Sequence, residues 1–331
     1  MTMLFVDGCQ YNAALTEKWS AATSASYSTT TARTGNRSIR LGAGSTSGTL
    51  TKTFGSSYGT LSVGWGGYMG TGANFSRVQL LDSAGANQIT VNIGSTGTIS
   101  VYRGSEAGTL LGTGGSVPFG SWFHLEFDVT VHDSTGAVDV YLNGASVISV
   151  SGVDTKNTAV AGAASVKFTG PSNATNPYLY IDDVVITNTF AQIGAAIVQT
   201  LYPTGAGATT QWTPSAGANY AAVDETTGDG DTTYVSTSTL NNIDTYAFGD
   251  LTANSGAVLA VAVNIVGRAD AGGSPQVTPV LRPGSTDRLG TGVAQTATYA
   301  NGQSIWETNP DGGSWTEAAV NASEAGIKKT V

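Results

Sequence analysis

The sequence predicts an all-β protein of two sandwich domains, and three observations support this. Short runs rich in Thr, Val and Tyr alternate apolar and polar residues with period two, which is typical of half-buried strands. Gly, Ser, Asn or Asp ends most runs, glycine alone occurring 44 times, and these residues suit tight turns. The hydrophobic fraction of 40% is too high for a disordered chain.

The first part of the chain predicts an antiparallel sandwich or jelly roll, because its strand runs are many and no helical stretch separates them. Leu142–Gly144 contains Asn-Gly, which accepts positive φ at low cost and therefore predicts a hairpin turn. A second hairpin turn is predicted at Ser134–Gly136. The predicted strands lie at 38–41, 48–54, 60–69, 76–82, 88–93, 98–104, 122–133, 137–144 and 178–187.

The second part predicts another β-sandwich and one short C-terminal helix. The run GAVLAVAVNIVG is almost entirely apolar, as expected for a strand covered on both faces. Trp315–Lys328 is rich in alanine, and Gly326 is placed to end a helix there. No Lys or Arg occurs between Lys167 and Arg268, and this shift in composition indicates two units. We predict domains at 1–192 and 193–331.

Charge and cysteine content exclude several classes of protein. The net charge of −9 argues against a nucleic-acid partner, and the single cysteine, Cys9, excludes an internal disulfide framework. No apolar stretch reaches the length of a membrane helix, so no membrane insertion is expected. No secretory signal is visible at the start, which predicts synthesis in the cytoplasm.

The order of SIRL, TLSVGWGGYM, WFHLEFDVTVHDSTGAVDVYLNG and YIDDVVI resembles the concanavalin A-like (laminin-G/lectin-type) jelly roll, especially versions in virion proteins of tailed bacteriophages. The later segments QWTPSAGANYAAVDE, DTTYV, AVAVNIVGRAD and ETNPDGGSWTEAAVNASEAGIK are similar to C-terminal parts of phage tail, fibre and minor structural proteins. Together the two resemblances cover nearly the whole chain. They imply a virion component on the particle exterior, assembled in multiple copies.

The strongest enzymatic motif is incomplete. Retaining glucanases with the fold that the chain resembles carry Glu-x-Asp-x-Glu or Glu-x-Asp-x-x-Glu on one strand, and such enzymes need two carboxyl groups roughly 5–5.5 Å apart. Glu126 and Asp128 match the first two positions, but Thr130 and Val131 occupy the places of the third. We therefore predict that the protein is not an enzyme and assign no catalytic residue.

A calcium site is one interpretation of four carboxylates within eight residues, Asp224, Glu225, Asp229 and Asp231. The alternative, which we favour, is a solvated acidic hairpin. Apart from calcium, no cofactor is predicted. A calcium or sugar site is likewise one interpretation of the pair Asp182–Asp183. The resemblance above implies instead a structural position where the last strand reaches the surface, and we favour that alternative.

Sugar sites combine aromatic platforms with Asn, Asp or backbone donors, and a lectin-like sandwich makes such a site the natural hypothesis. The alternative is that these aromatic residues pack between the sheets. The candidate glycan-binding residues are Trp65, Tyr68, Asn74, Tyr102 and Trp122.

Three functions follow in order of preference. The first is a non-enzymatic phage virion component, a tail, fibre or head-decoration subunit on the particle exterior, with an additional contact to host-surface glycan. Its partners are other virion proteins and copies of itself. The second is a lectin-like adhesin that binds host polysaccharide, and the least favoured is a glycoside hydrolase.

Overall fold

The computed structural model describes residues 2–42, 46–71, 75–172, 178–252, 256–270 and 272–331. The chain divides into two compact units: unit 1 comprises Met1–Gln10 and Trp19–Val198, and unit 2 comprises Tyr11–Lys18 and Gln199–Val331. The predicted boundary at 192/193 therefore falls a few residues before the division in the structure. The assignment of Tyr11–Lys18 to unit 2 was not predicted.

Unit 1 is built from short strands that follow one another along the chain with tight turns between many of them. The strands are β1 (Met3–Asp7), β2 (Ala21–Thr23), β3 (Ala25–Ser28), β4 (Ser38–Leu41), β5 (Thr49–Tyr58), β6 (Thr60–Met69), β7 (Ser76–Leu81), β8 (Asn87–Ile93), β9 (Thr98–Arg103), β10 (Thr109–Ser116), β11 (Trp122–Thr130), β12 (Gly136–Leu142), β13 (Ala145–Val153), β14 (Ala163–Thr169) and β15 (Leu179–Thr187).

These strands form two antiparallel sheets. Sheet A has the order β13-β12-β11-β6-β15-β4-β3, with β1 also paired to β15, and sheet B has the order β10-β9-β8-β7-β14-β5-β2. Neighbours in each sheet are often distant in sequence, as β11, β6 and β15 are, which is the crossover pattern of a jelly roll. The all-β sandwich prediction is confirmed.

The core of unit 1 lies between the two sheets. Trp65 of β6 is completely buried, and its indole makes edge-to-face contacts with Phe127 of sheet A at 6.0 Å and with Phe168 of sheet B at 5.4 Å. Leu61, Val63 and Met69, which share the parity of Trp65 along β6, are buried as well. Alternate residues of β6 therefore point away from the core, onto the outward face of sheet A.

Unit 2 contains a smaller antiparallel sheet and two separate antiparallel strand pairs. The sheet has the order β16-β19-β25-β21-β22 with β23 also paired to β21, and β17–β18 and β20–β24 form separate pairs. Its strands are β16 (Pro203–Thr210), β17 (Thr213–Pro214), β18 (Val235–Ser236), β19 (Ile243–Phe248), β20 (Val261–Gly267), β21 (Gln276–Arg282), β22 (Arg288–Leu289), β23 (Val293–Ala294), β24 (Ala300–Trp306) and β25 (Glu324–Lys329).

The predicted C-terminal helix is much shorter than expected. Helix α1 covers Glu317–Asn321 only, begins at the N-cap Thr316, and is followed by strand β25 at the centre of the sheet. Gly326 does not end a helix: a Cβ at this position would lie 1.9 Å from the carbonyl oxygen of Asp244 on β19. No helix among the described residues is long and apolar enough to span a membrane.

The apolar run before Gly267 is not covered on both faces, so that prediction was wrong. Within the described chain β20 pairs with β24 alone, Val263 and Ile265 are buried, and Asn264 between them is exposed. Val263 joins a small core with Leu281 and Trp315. The strand therefore has one covered face, and its apolar outward residues are only partly buried.

Candidate functional site

A row of aromatic side chains crosses the outward face of sheet A. Trp122 of β11 is paired in register with Tyr68 of β6, and Tyr68 is paired with Tyr180 of β15. The ring centroids of Trp122 and Tyr68 lie 5.7 Å apart, as do those of Tyr68 and Tyr180. All three side chains are partly exposed. We call these three residues the aromatic row.

Strand alternation places each member of the row on this face. In β15 the buried residues Leu179 and Ile181 flank Tyr180, and in β11 the buried Phe123 follows Trp122. Successive side chains of a strand point to opposite faces, so both aromatic residues face away from the core. Pairing between strands then brings the rings side by side, which the spacing within one strand cannot do.

Arg40 of β4 extends the row by one strand. It is paired in register with Tyr180, and its guanidinium lies over the ring of Tyr178, 4.7 Å from the centroid. Tyr178 in turn contacts Tyr180, with a centroid distance of 6.1 Å. The Nε of Arg40 is buried without a hydrogen-bond partner, and its guanidinium forms no ion pair with any described residue. This end of the row is therefore positively charged.

Beyond the aromatic row, the same face carries buried polar side chains. His124, Glu126 and Asp128 follow Trp122 at every second position of β11, and none of them is more than 3% exposed. On the neighbouring strand β6, Gly66 is paired with His124 and Gly64 with Glu126. A Cβ at Gly66 would lie 2.5 Å from the Cδ of Arg33, so the glycine leaves room for this side chain to lie across the sheet.

Arg33 is held there by the two aspartates at the bulge of β15. Its guanidinium donates to Asp183 Oδ2 at 2.6 Å, and its backbone N–H donates to Asp182 Oδ2 at 2.9 Å. Thr34 Oγ1 donates to Asp183 Oδ1 at 2.6 Å. Both aspartates are completely buried. They do not lie at the surface, as the sequence interpretation had them, because Arg33 and Thr34 cover them.

The segment that follows β15 covers this polar half of the face. We call residues 189–198 the covering segment. The backbone N–H groups of Ile193 and Gly194 donate to the two carboxylate oxygens of Glu126, the second at 2.9 Å. The N–H of Val198 donates to Asp183 at 2.8 Å, and Ser62 Oγ donates to the carbonyl of Thr189 at 2.5 Å. The incomplete glucanase motif therefore lies beneath backbone, and both its carboxyl groups are buried.

Burial shifts the pKa values of this polar cluster towards the neutral forms. It raises the pKa of Glu126 to about 7 against two backbone hydrogen bonds that lower it, and raises the pKa of Asp128 to about 6. Burial and the adjacent charge of Asp183 raise the pKa of Asp182 to about 7. Burial and the charge of Arg33 lower the pKa of His124 to about 4. The stability of unit 1 is therefore expected to vary with pH.

The structure brings together two of the five predicted glycan-binding residues, Tyr68 and Trp122. Trp65 is completely buried in the core, so its indole is not available to a ligand and this prediction was wrong for it. Tyr102 lies on β9 of sheet B, away from the aromatic row. Asn74 lies outside the described residues.

The acidic cluster of unit 2 does not converge on a common point. Asp231 accepts hydrogen bonds from Arg268 at 2.8 Å and from the hydroxyl of Tyr299 at 2.8 Å. The hydroxyl of Thr233 lies within hydrogen-bond distance of both Glu225 and Asp229. Within the described ranges no group of three or more His, Cys, Asp or Glu side chains, Asp224 included, is arranged to hold a metal ion. Calcium binding by these residues stays a prediction without structural support.

Sequence reasoning missed Tyr178, Tyr180 and Arg40. A signal for them was present: in YLYID and SIRL these residues alternate with Leu179, Ile181 and Ile39, all of which are buried. Period two therefore predicts that they face outward. Their position next to Tyr68 depends on the strand order β6-β15-β4, which cannot be predicted from local sequence.

No protein-family model matches this sequence, and no curated protein sequence matches it. A Bacillus subtilis protein of unknown function with a galectin-like fold matches with a TM-score of 0.41 and 8% identity, over 58% of this chain and 98% of that chain. A carbohydrate esterase of the Shiga toxin-encoding bacteriophage phi24B matches with a TM-score of 0.37 and 15% identity, over 55% and 98% of the two chains. An alginate lyase in complex with an alginate tetrasaccharide matches with a TM-score of 0.37 and 11% identity, over 57% and 98%.

These matches correct the prediction that the protein is not an enzyme. That prediction was wrong, because a lyase and an esterase stand among the matched structures beside a galectin-like protein. At such low identities the likeness concerns the fold, and one fold carries both binding proteins and enzymes.

Proposed function

We propose that unit 1 binds a carbohydrate polymer along the aromatic row of sheet A. The observation that carries the proposal is the in-register placement of Trp122, Tyr68 and Tyr180, partly exposed and with neighbouring centroids 5.7 Å apart. Apolar faces of sugar rings pack on such side chains, and the polar edges of tyrosine and tryptophan supply hydrogen bonds. A row of rings across three neighbouring strands suits consecutive sugar residues of one chain.

The position of the covering segment supports a sugar site on the open half of the outward face of sheet A. It occupies the polar half, where Glu126 and Ser62 hold its backbone, and leaves the aromatic row partly exposed. Partly exposed aromatic rings set side by side are unusual on a surface that needs only to be soluble, and they mark binding sites.

The test is a binding measurement with a panel of neutral and charged polysaccharides, using affinity electrophoresis and calorimetry. We expect saturable binding of at least one polymer, and we expect Tyr68→Ala and Trp122→Ala each to weaken it by about 10–100-fold, because each removes one stacking surface. Tyr102→Ala is the matched control: this tyrosine is also partly exposed, but it lies on sheet B, so we expect unchanged affinity.

Thermal unfolding of each variant checks that a loss of binding is not a loss of fold. Binding that survives both Tyr68→Ala and Trp122→Ala, or that disappears with Tyr102→Ala alone, would contradict the proposal. Failure of every polymer to bind would contradict it as well.

We further propose that the protein is carried on the exterior of a tailed-phage particle, in contact with other virion proteins and copies of itself, and that the aromatic row meets polysaccharide of the host surface. The support is the sequence resemblance of both halves of the chain to phage tail and fibre proteins. Mass spectrometry of purified particles is expected to find the chain, and antibodies against unit 1 are expected to label intact particles. Absence from the particle would contradict this placement.

A further inference from the structure

We infer that the aromatic row selects a polysaccharide that carries carboxylate groups, and that Arg40 binds the carboxylate. The inference rests on the proposed function, since it names the class of polymer that the same row takes. It starts from the one guanidinium of the described chain that has neither an ion pair nor a hydrogen bond.

The other arginines of the described chain have partners. Arg33 pairs with Asp183, Arg77 with Glu106 and Arg103 with Asp154 in unit 1, while the guanidinium of Arg37 donates to a backbone carbonyl. The arginines of unit 2 pair with aspartates. Only 11% of the residues of this protein are charged, yet the charge of Arg40 has no carboxylate partner within the described chain. An arginine left unpaired beside an aromatic row indicates a role in ligand binding and not in folding.

The position of Arg40 is fixed before any ligand arrives. Its guanidinium lies over the ring of Tyr178, and its backbone is held between β15 and β3 in sheet A. Stacking of this kind orients the planar guanidinium and reduces the conformational entropy that binding costs. A carboxylate is planar too and forms strong charge-assisted hydrogen bonds with arginine, which makes it the anion that Arg40 suits best.

The register of the strands places this cation next to the sugar. Arg40 and Tyr180 are directly paired, so their Cα atoms are about 4.5–5.5 Å apart, and a sugar ring stacked on Tyr180 has its substituents beside the guanidinium. On β15, Asp182 lies two residues after Tyr180 on the same face. It does not compete for Arg40, because it is buried and accepts from the N–H groups of Arg33 and Thr34.

The negative net charge of the protein makes a local cation necessary for binding a polyanion. The chain carries −9, so a polyanion is repelled by the protein as a whole. Preference for a charged polymer over its neutral form therefore requires a local cation, and Arg40 is the one that the row offers.

The experiment compares binding of polygalacturonate, the same polymer after chemical reduction of its carboxyl groups, and dextran sulfate. We expect wild-type protein to bind polygalacturonate at least about tenfold more tightly than the reduced polymer, with a preference that declines as salt is added. Arg40→Gln is expected to remove this preference, because it weakens binding of polygalacturonate at least about tenfold more than binding of the reduced polymer. Arg40→Lys is expected to restore it in part, since it keeps the charge but not the planar fork.

Lys167→Gln is the matched control, because it changes the net charge equally but lies on β14 of sheet B. The inference is overturned if the reduced polymer binds as well as polygalacturonate and Arg40→Gln changes neither affinity. It is also overturned if dextran sulfate binds more tightly than polygalacturonate and only that binding depends on Arg40. In both cases loss of binding in Tyr68→Ala would leave the proposed function intact, whereas failure of all three polymers to bind removes its support.

Discussion

Replacing Asp183 by alanine is expected to lower the free energy of unfolding of unit 1 by about 3–5 kcal/mol, the range for removing one partner of a buried ion pair. The reason is the number of groups that lose their acceptor together: the guanidinium of Arg33, the hydroxyl of Thr34 and the backbone N–H of Val198. Asp182 still holds the backbone N–H groups of Arg33 and Thr34 in this variant, whereas the side chains of both residues and the N–H of Val198 lose their acceptor. Hydrogen exchange of peptides from β6 and β15 would report the loss for unit 1 separately from unit 2.

Two further variants separate the charge of Asp183 from its shape. Asp183→Asn keeps an acceptor oxygen and tolerates the positive φ of 49° at this position, so we expect a smaller loss. Asp133→Ala removes an exposed aspartate from a turn of the same unit and should change stability by less than about 0.5 kcal/mol. Equal stability of Asp183→Ala and the wild type would show that the hydrogen bonds of Asp183 to Arg33 and Val198 do not stabilise unit 1.

Unit 1 is expected to be more stable at pH 5 than at pH 8, by about 2–4 kcal/mol at roughly 1.4 kcal/mol per pKa unit. Burial gives Glu126 a folded-state pKa of about 7, against 4.5 when unfolded, and raises the pKa values of Asp128 and Asp182 as well. Between the unfolded-state and folded-state pKa values of each carboxyl group, the native state therefore binds more protons than the unfolded state. The free energy of unfolding falls as pH rises through this interval. His124 acts in the opposite direction between about pH 4 and 6.5, because its folded-state pKa is lowered to about 4.

Above pH 6.5 the carboxyl groups act alone, so the interval from pH 6.5 to 8 gives the cleanest test. Denaturant titration followed by hydrogen exchange in unit 1 should show declining stability across it. Glu126→Gln removes one titrating group and should make the decline smaller, although the amide accepts only one of the two N–H groups of Ile193 and Gly194. Stability that rises from pH 6.5 to 8 would be incompatible with a buried, largely protonated cluster.

Strand positions in unit 1 could be predicted where the local pattern is strict. The structure places β6 at Thr60–Met69, the predicted bounds, because apolar residues alternate there, with Gly67 as the one exception in the series. The turn after β12 also follows its sequence signal: Asn143 and Gly144 both have positive φ, 50° and 83°, as the Asn-Gly pair predicts. In these places local preference and tertiary packing agree.

The C-terminal segment shows the opposite case. Ala and Glu favour a helix in Glu324–Lys329, but these residues form the central strand between β19 and β21. Backbone pairing on both sides outweighs a propensity of a few tenths of a kcal/mol per residue. Gly326 is needed there because β19 approaches closely, a requirement set by a strand some 80 residues earlier in the chain.

The candidate site could be predicted only in part for the same reason. Tyr68 and Trp122 were recognised as aromatic residues of strands, but Trp65 on the same strand has the opposite parity, and the run Leu61, Val63, Trp65 was already the buried one. Parity separates inward from outward residues. It does not reveal that Tyr180 and Arg40 complete the row, because that depends on which strands become neighbours.

The assignment of Tyr11–Lys18 to unit 2 affects how the two units can be taken apart. The backbone leaves unit 1 after Gln10, returns at Trp19 and leaves again after Val198, and in unit 2 the carbonyl of Tyr11 accepts from the N–H of Gly228 at 2.7 Å. Cleavage of the peptide bond between Val198 and Gln199 thus produces two fragments. The N-terminal fragment still contains Tyr11–Lys18, which belong to unit 2. Unit 2 is a domain completed by a peptide from the opposite end of the chain, as in fragment complementation.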